Sequence, residues 1–182
     1  MLVAKQFADL ITVVRIALAF ILPWLGLAHG AAGLPTAVWL MIADWTGDCL
    51  DGPIARRSRV NYHTWVGDHD LEVDMAVATG LLAYLVFAGL VDVRLAGIYL
   101  LICALTFWRW GVPKALGMLV QAPIYGWFIW VALRDAPASG RWIVGWILAA
   151  IVVTWPKFPR EIVPGFLAGM QRVWKYRPSP RR

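Results

Sequence analysis

Charge is scarce in this chain, and acidic charge is the scarcest. Only 11 of its 182 residues are Asp or Glu, and charged residues of both signs make up 15%. Cysteine is almost missing: Cys49 and Cys103 stand alone and far apart. That excludes a disulfide framework and a zinc site of ligand-spaced cysteines, and both thiols are expected to be packing residues. No internal repeat stands out, and the length leaves no room for a second domain beside the first. What fills the chain instead is apolar. It is 60% hydrophobic with 12 Trp, and its mean hydropathy is +0.65. A soluble domain of this size would not carry so much apolar surface, so an all-α integral membrane protein is expected. The tryptophans read as interfacial belts rather than catalytic groups.

The apolar runs divide into six expected spans, at residues 9–28, 35–51, 66–90, 95–110, 115–133 and 142–155. Most are long enough to cross a hydrocarbon core of roughly 30 Å. Residues 1–8 read as a brief interfacial helix. No small-residue cleavage site follows the first span, which is therefore expected to be retained. Gly52-Pro53 is expected to bend the exit from the second span. Residues 91–97 and 111–114 read as breaks, and 134–141 (RDAPASGR) as a loop. Residues 161–176 suggest a short amphipathic helix in the tail.

The basic residues set an orientation. Fourteen of the 17 Lys and Arg fall on one side of the six-span arrangement, and Arg94, Arg134 and Arg141 on the other. By the positive-inside rule, both termini are then cytoplasmic. The net charge of +6 reads as loop topology, with a contribution to holding anionic headgroups, and not as nucleic-acid binding. An integral protein of a prokaryotic cell membrane is expected.

Against this background the acids are concentrated. Asp44, Asp48, Asp51, Asp68, Asp70, Glu72 and Asp74 fall within about thirty residues, at the cytoplasmic end of the second and third spans. Acids at a bilayer edge are costly and are usually kept for ion or substrate work. Asp48 and Asp51 are spaced i, i+3, and Asp70 and Asp74 i, i+4, so each pair shares a helix face. Two such pairs on facing helix ends suit hard divalent cations such as Mg²⁺, Mn²⁺ or Ca²⁺. Arg15, inside the first span, has two readings: a side chain snorkelling to the interface, or a charge facing the acids. Asp44, one turn before Asp48, either orients a ligand or makes a polar contact with another helix. His63, Asp68, His69 and Glu72 read as surface or supporting groups, and Arg57 and Arg59 as topology determinants.

The run from Asp48 to Arg56, Asp-x2-Asp-Gly-x2-Ala-Arg, followed by Asp70-x3-Asp74, resembles the signature of the CDP-alcohol phosphotransferase family. The glycine of the second half departs from that pattern. Ten residues separate Arg56 from Gly67 and two separate Gly67 from Asp70, one residue more overall than the family spacing. A literal register would put Leu71 and Met75 at the acidic positions, and neither can ligate a hard metal. Asp9-x2-Thr12-x2-Arg15, with Pro23 beyond, also resembles the opening of many members, which often have Asn in place of Asp9.

The resemblance implies transfer of a substituted phosphate from a CDP-linked lipid to an alcohol, with release of CMP, in phospholipid synthesis. It implies a site for Mg²⁺ or Mn²⁺, with two metals about 4 Å apart. It makes Asp48, Asp51, Asp70 and Asp74 metal ligands and Asp74 the base. Asp48, Gly52, Ala55 and Arg56 would meet the CDP moiety, and a homodimer is implied. Arg109, Lys114, Lys157 and Arg160 are candidates for holding a phosphate on the acceptor. Glycerol 3-phosphate is the first choice of acceptor; an inositol phosphate, serine or another alcohol remains open. Two readings of other classes stand beside it: a divalent-ion transporter, with acids near the bilayer midplane, and a non-catalytic membrane protein that binds CDP-lipid.

Overall fold

A computed structural model describes residues 4–56, 69–156 and 158–175. These residues are helical throughout, with short turns and no strand among them. Six long helices follow one another: α1 (Ala4–His29), α2 (Leu34–Arg56), α3 (Asp70–Phe87), α4 (Val93–Trp110), α5 (Lys114–Asp135) and α6 (Pro137–Val153). A shorter, amphipathic α7 (Val163–Lys175) closes the described chain, after a π-helical turn at Phe158–Ile162. Among the described residues, three segments are long and apolar enough to cross a membrane: Asp9–Leu50, Val93–Trp110 and Lys114–Asp135. The first of these folds back on itself at the 3-10 turn Gly30–Gly33, so α1 and α2 are its two legs.

The helix ends follow local chemistry. Asp92 caps α4, its Oδ1 accepting from the backbone N–H groups of Arg94 (2.8 Å) and Leu95 (3.3 Å). Gly111, at φ 75°, stops α4 in a conformation that a side chain would disfavour. Pro113 then precedes α5.

Several boundaries differ from expectation. Residues 4–8 belong to α1 without a break, and form no separate helix. The α2 backbone continues through Gly52 and Pro53 to Arg56. Pro53 falls in the last turn, so the one i→i−4 bond that it removes is close to the helix end and the helix stops three residues later. The expected loop at 134–141 shrinks to Ala136, because α5 runs to Asp135 and α6 starts at Pro137. Proline at a first helical position has its φ preset, and the N–H it lacks would be unpaired there anyway.

The helices pack as a bundle whose polarity can be read from side-chain neighbours. Arg15 meets Asp74, Ala19 meets Gly80 and Gly26 meets Tyr84, so α1 and α3 run parallel. Gly117 abuts Leu71, which sets α5 parallel to α3. Gly140 abuts Ala132, and Gly47 abuts Ile11, so α6 and α2 run the opposite way. The core lies between these five helices, around Leu22, Met41, Leu81, Tyr84, Phe128 and Ile143. The α4 helix is the loosest member: only Ala96 and Cys103 are buried on it, and the Tyr99 hydroxyl donates to the Val120 carbonyl. Much of the outer surface is large and apolar, with Phe20 73%, Trp108 79% and Val153 81% exposed. So continuous an apolar exterior is compatible with a membrane protein and would be a liability in water.

Candidate functional site

The site forms where the C-terminal part of α2 meets the start of α3 and the first half of α1. On α2, Asp44 and Asp48 are one turn apart; on α3, Asp70 and Asp74 are one turn apart. One oxygen from each of Asp48, Asp70 and Asp74 lies within 4.8 Å of the others. The parallel packing of α1 on α3 delivers Arg15 into this group. Arg15 is 3% exposed. Its Nε donates to Asp44 Oδ1 at 3.0 Å, and its NH1 lies 3.0 Å from Asp48 Oδ1 and 3.5 Å from Asp70 Oδ1. Its NH2 donates to Asp74 Oδ1. Of the two readings of Arg15, the structure therefore shows the charge facing the acids. Asp44, 1% exposed, is a partner of Arg15 at the back of the site.

Among the described side chains, four carboxyl groups meet one guanidinium, which when all are ionised leaves three negative charges in excess. Such a crowd in partly buried surroundings calls for further cations. Lys114, at the start of α5, supplies one from across the adjoining cavity. The donor set fits a hard divalent ion, since all three clustered donors are carboxylate oxygens. Two opposite ligands on Ca²⁺ stand about 4.6–5.2 Å apart, and on Mg²⁺ about 4.0–4.2 Å. Oxygens within 4.8 Å of one another thus suit the first directly and the second after a contraction of at most about 0.6–0.8 Å.

The acids open into a cavity of about 1050 Å³. Its walls come from the α4–α5 turn (Trp110, Lys114), from α5 (Met118) and from α7 (Phe166, Arg172). The α7 helix can roof the space because it lies directly on the start of α5: a Cβ on Gly169 would stand 2.7 Å from that of Ala115. The cavity is thus carboxylate-rich at one end, basic at Lys114 and Arg172, and apolar along Trp110, Met118 and Phe166. An aromatic group backs the site on its other side. Trp45 packs edge-on to Tyr125 (5.5 Å between ring centroids) and against Trp146 (5.6 Å), whose Nε1 donates to Thr46 Oγ1 at 2.9 Å.

The candidates from the sequence divide accordingly. Asp48, Asp70 and Asp74 come together, and Lys114 lines the same cavity. Arg109 is exposed and stacks on Trp110 at 5.4 Å; neither it nor the exposed Arg160 lines the cavity. Asp51, Gly52, Ala55 and Arg56 lie on the last turns of the α2 backbone, one to two turns past Asp48, with side chains outside the described residues. Lys157, His63 and Asp68 lie outside the described residues altogether. Glu72 is exposed and faces a different groove, beside Phe20 and Thr79. Neither cysteine is in a disulfide; Cys103 is buried and Cys49 exposed.

Sequence reasoning missed Arg172 and Gln121. Arg172 sat among tail residues that the topology count absorbed. Gln121 is buried, its Oε1 accepts from the Tyr125 hydroxyl at 3.4 Å, and its amide nitrogen has no partner among the described residues. It follows Lys114 by seven residues, two helical turns further into the bundle on the same face of α5, a period visible only once that face is known.

Asp44 offers a direct test of the buried ion pair. Asp44→Asn keeps the shape and removes the charge-assisted bond from Arg15. A loss of about 2 kcal/mol is expected, seen as a fall of about 4–8 °C in the unfolding temperature in detergent. An unchanged melting curve would show that the Arg15–Asp44 contact contributes nothing.

No protein-family model matches the chain, and no curated protein or solved structure is similar to it at a significant level.

Proposed function

We propose that this protein is an integral membrane enzyme of the CDP-alcohol phosphotransferase type. It moves a substituted phosphate from a CDP-linked lipid to an alcohol and releases CMP. The observation that carries the reading is the convergence of Asp48, Asp70 and Asp74 within 4.8 Å at the mouth of a cavity of about 1050 Å³. These are three of the four acids of the resemblance, brought together from two helices and from positions up to 26 residues apart. The cavity's mixed walls suit a ligand that is charged at one end and lipid-like at the other.

In this reading the six long helices are six membrane spans, with both termini and the site at the cytoplasmic face of the cell membrane, where a nucleotide and a lipid can meet. A homodimer goes with the resemblance. Asp48, Asp70 and Asp74, together with Asp51, would hold Mg²⁺ or Mn²⁺. Such ions, when bound, supply positive charge against the charge that develops on the diphosphate. The chain's residues do the rest. Asp74 takes the proton from the acceptor hydroxyl as that oxygen bonds to the lipid-bearing phosphorus. The phosphorus–oxygen bond to CMP breaks, and CMP leaves with the electron pair. Apolar Met118 and Phe166 help to keep water from competing as acceptor. A divalent-ion transporter would need its acids near the middle of the spans; here Asp70 and Asp74 lie in the opening turns of α3, and α2 ends two turns beyond Asp48.

The test is CMP release by purified protein given CDP-diacylglycerol, Mg²⁺ or Mn²⁺, and alcohols added one at a time. Release that requires both the divalent ion and one particular alcohol is expected. Absence of release with every acceptor would sink the enzymatic reading.

Lys114 and Arg172 sharpen the acceptor class. A phosphorylated acceptor such as glycerol 3-phosphate would be held by these two cations. Arg172→Ala and Lys114→Ala should then each raise its KM by about tenfold or more, the worth of one charge-assisted hydrogen bond. The kcat should stay within about threefold. Equal KM values in wild type and both variants would assign the acceptor phosphate elsewhere.

A further inference from the structure

Arg15 stands out because its guanidinium contacts the carboxylates that the proposed chemistry assigns to metal. NH1 lies between Asp48 Oδ1 (3.0 Å) and Asp70 Oδ1 (3.5 Å), and NH2 reaches Asp74 Oδ1. Three carboxylates that can hold a divalent cation are therefore already held by a cation of the chain itself. The remaining nitrogen, Nε, is bound at 3.0 Å to Asp44, which is buried and not one of the three clustered donors. The side chain is thus anchored at one edge of its fork and engaged with the metal-type ligands at the other. Its position is fixed from a third helix, 29 residues from Asp44 and 59 from Asp74 in sequence.

We propose that Arg15 is a positioning residue that acts as a tethered counter-cation. It holds the carboxylates together before metal enters. It then gives up its NH1 and NH2 contacts to the incoming ion while its Nε–Asp44 bond keeps it close. The inference rests on the metal-dependent reading above.

The physics gives the proposal a sign. Without Arg15, four carboxylates face one another with no cation among them from the described residues, and their mutual repulsion opens the site. A divalent ion can then replace the lost charge. Removing a competing positive charge a few ångströms from the ligands must also tighten metal binding. A residue with only a packing role would do neither. Its loss would weaken the fold equally with and without metal.

The experiment is thermal unfolding of the full-length protein in detergent. Wild type and Arg15→Met are each measured in EDTA and in a series of MnCl₂ concentrations, with Mn²⁺ binding followed in parallel by the loss of the free-ion EPR signal. Mn²⁺ should raise the unfolding temperature of wild type, as any ligand of the folded state must. Arg15→Met should unfold well below wild type in EDTA and gain about 3–6 °C more than wild type from the same Mn²⁺ concentration, the shift that corresponds to tenfold tighter binding. It should also bind Mn²⁺ at least about tenfold more tightly than wild type. If Arg15→Met cannot be purified folded, Arg15→Lys serves. It keeps the charge but cannot bridge several carboxylates, so it should show a smaller Mn²⁺-dependent recovery of the same sign. A loss of stability that is identical in EDTA and Mn²⁺ would overturn the proposal and leave the metal site standing. Absence of Mn²⁺ binding by wild type and variants alike would overturn the proposal together with the metal-dependent function.

Discussion

Asp74→Asn should abolish CMP release, lowering the rate by about a thousandfold or more while leaving the protein folded. Loss of a general base alone typically removes a factor of 10²–10⁴. Asn is also a weaker ligand than a carboxylate, so the loss belongs in the upper part of that range. The fold should survive because Asp74 is partly exposed and lies near the start of α3, and because the Asn carbonyl can still accept from Arg15 NH2. Glu72→Gln is the matched control. It removes an acid from the same helix two residues away, but from the exposed face beside Phe20 and Thr79. Its rate should stay within about twofold of wild type. Asp74→Asn retaining a third of the wild-type rate would remove Asp74 from the chemistry, whatever else the cluster does.

Gly80→Ala should be among the most destabilising of single-methyl additions, and Gly145→Ala should cost nothing. Both are glycines within long helices, and alanine is the better helix former by about 1 kcal/mol. Their surroundings differ. A Cβ at Gly80 would stand 2.5 Å from the backbone oxygen of Ala19 and 2.9 Å from its Cα, whereas one at Gly145 meets nothing within 4 Å. Backbone cannot rotate out of the way as a side chain can, so α1 and α3 must separate. Overpacking of this kind costs typically 1–3 kcal/mol, and here it also pulls Arg15 away from Asp70 and Asp74 on the same pair of helices. A loss of about 3 kcal/mol is expected, or about 6–12 °C in the unfolding temperature. Gly145→Ala should be neutral or gain up to about 1 kcal/mol. Equal melting temperatures for the two variants would show that the α1–α3 contact yields without cost.

The contrast also explains what the sequence could reveal. The helices were legible because each carries a long apolar run, and the acid pairs because i, i+3 and i, i+4 spacing acts within one helix. The Gly111–Pro113 break was legible for the same local reason. The failures at Gly52-Pro53 and at 134–141 have one cause. Proline and glycine mark a turn only if the chain needs one there, and Pro53 lies within a last turn while Pro137 begins a helix. The placement of Arg15 against Asp74 spans 59 residues and depends on α1 packing parallel to α3, which no local pattern encodes. The close approach at Gly80 and the roof formed by α7 are likewise pairings between distant segments. Three of the four carboxylates expected at the site are together. The fourth, Asp51, follows Asp48 by one turn on the α2 backbone.

Under the proposed reading of α1 and α2 as membrane spans, the Arg15–Asp44 pair also has a consequence for how the chain would enter a bilayer. Ribosomes deliver α1 and α2 before any acid of α3 exists, and the two legs form one antiparallel hairpin across Gly30–Gly33. A lone Arg or Asp costs up to about 2.5–3.5 kcal/mol in an inserting helix, the figure for its centre, and less towards the interface. A hairpin that enters as a unit carries its own neutralising partner, so the nascent segment pays much less for either charge. The guanidinium is then already paired with Asp44 when the second pair of carboxylates arrives on a helix that begins 14 residues after α2 ends.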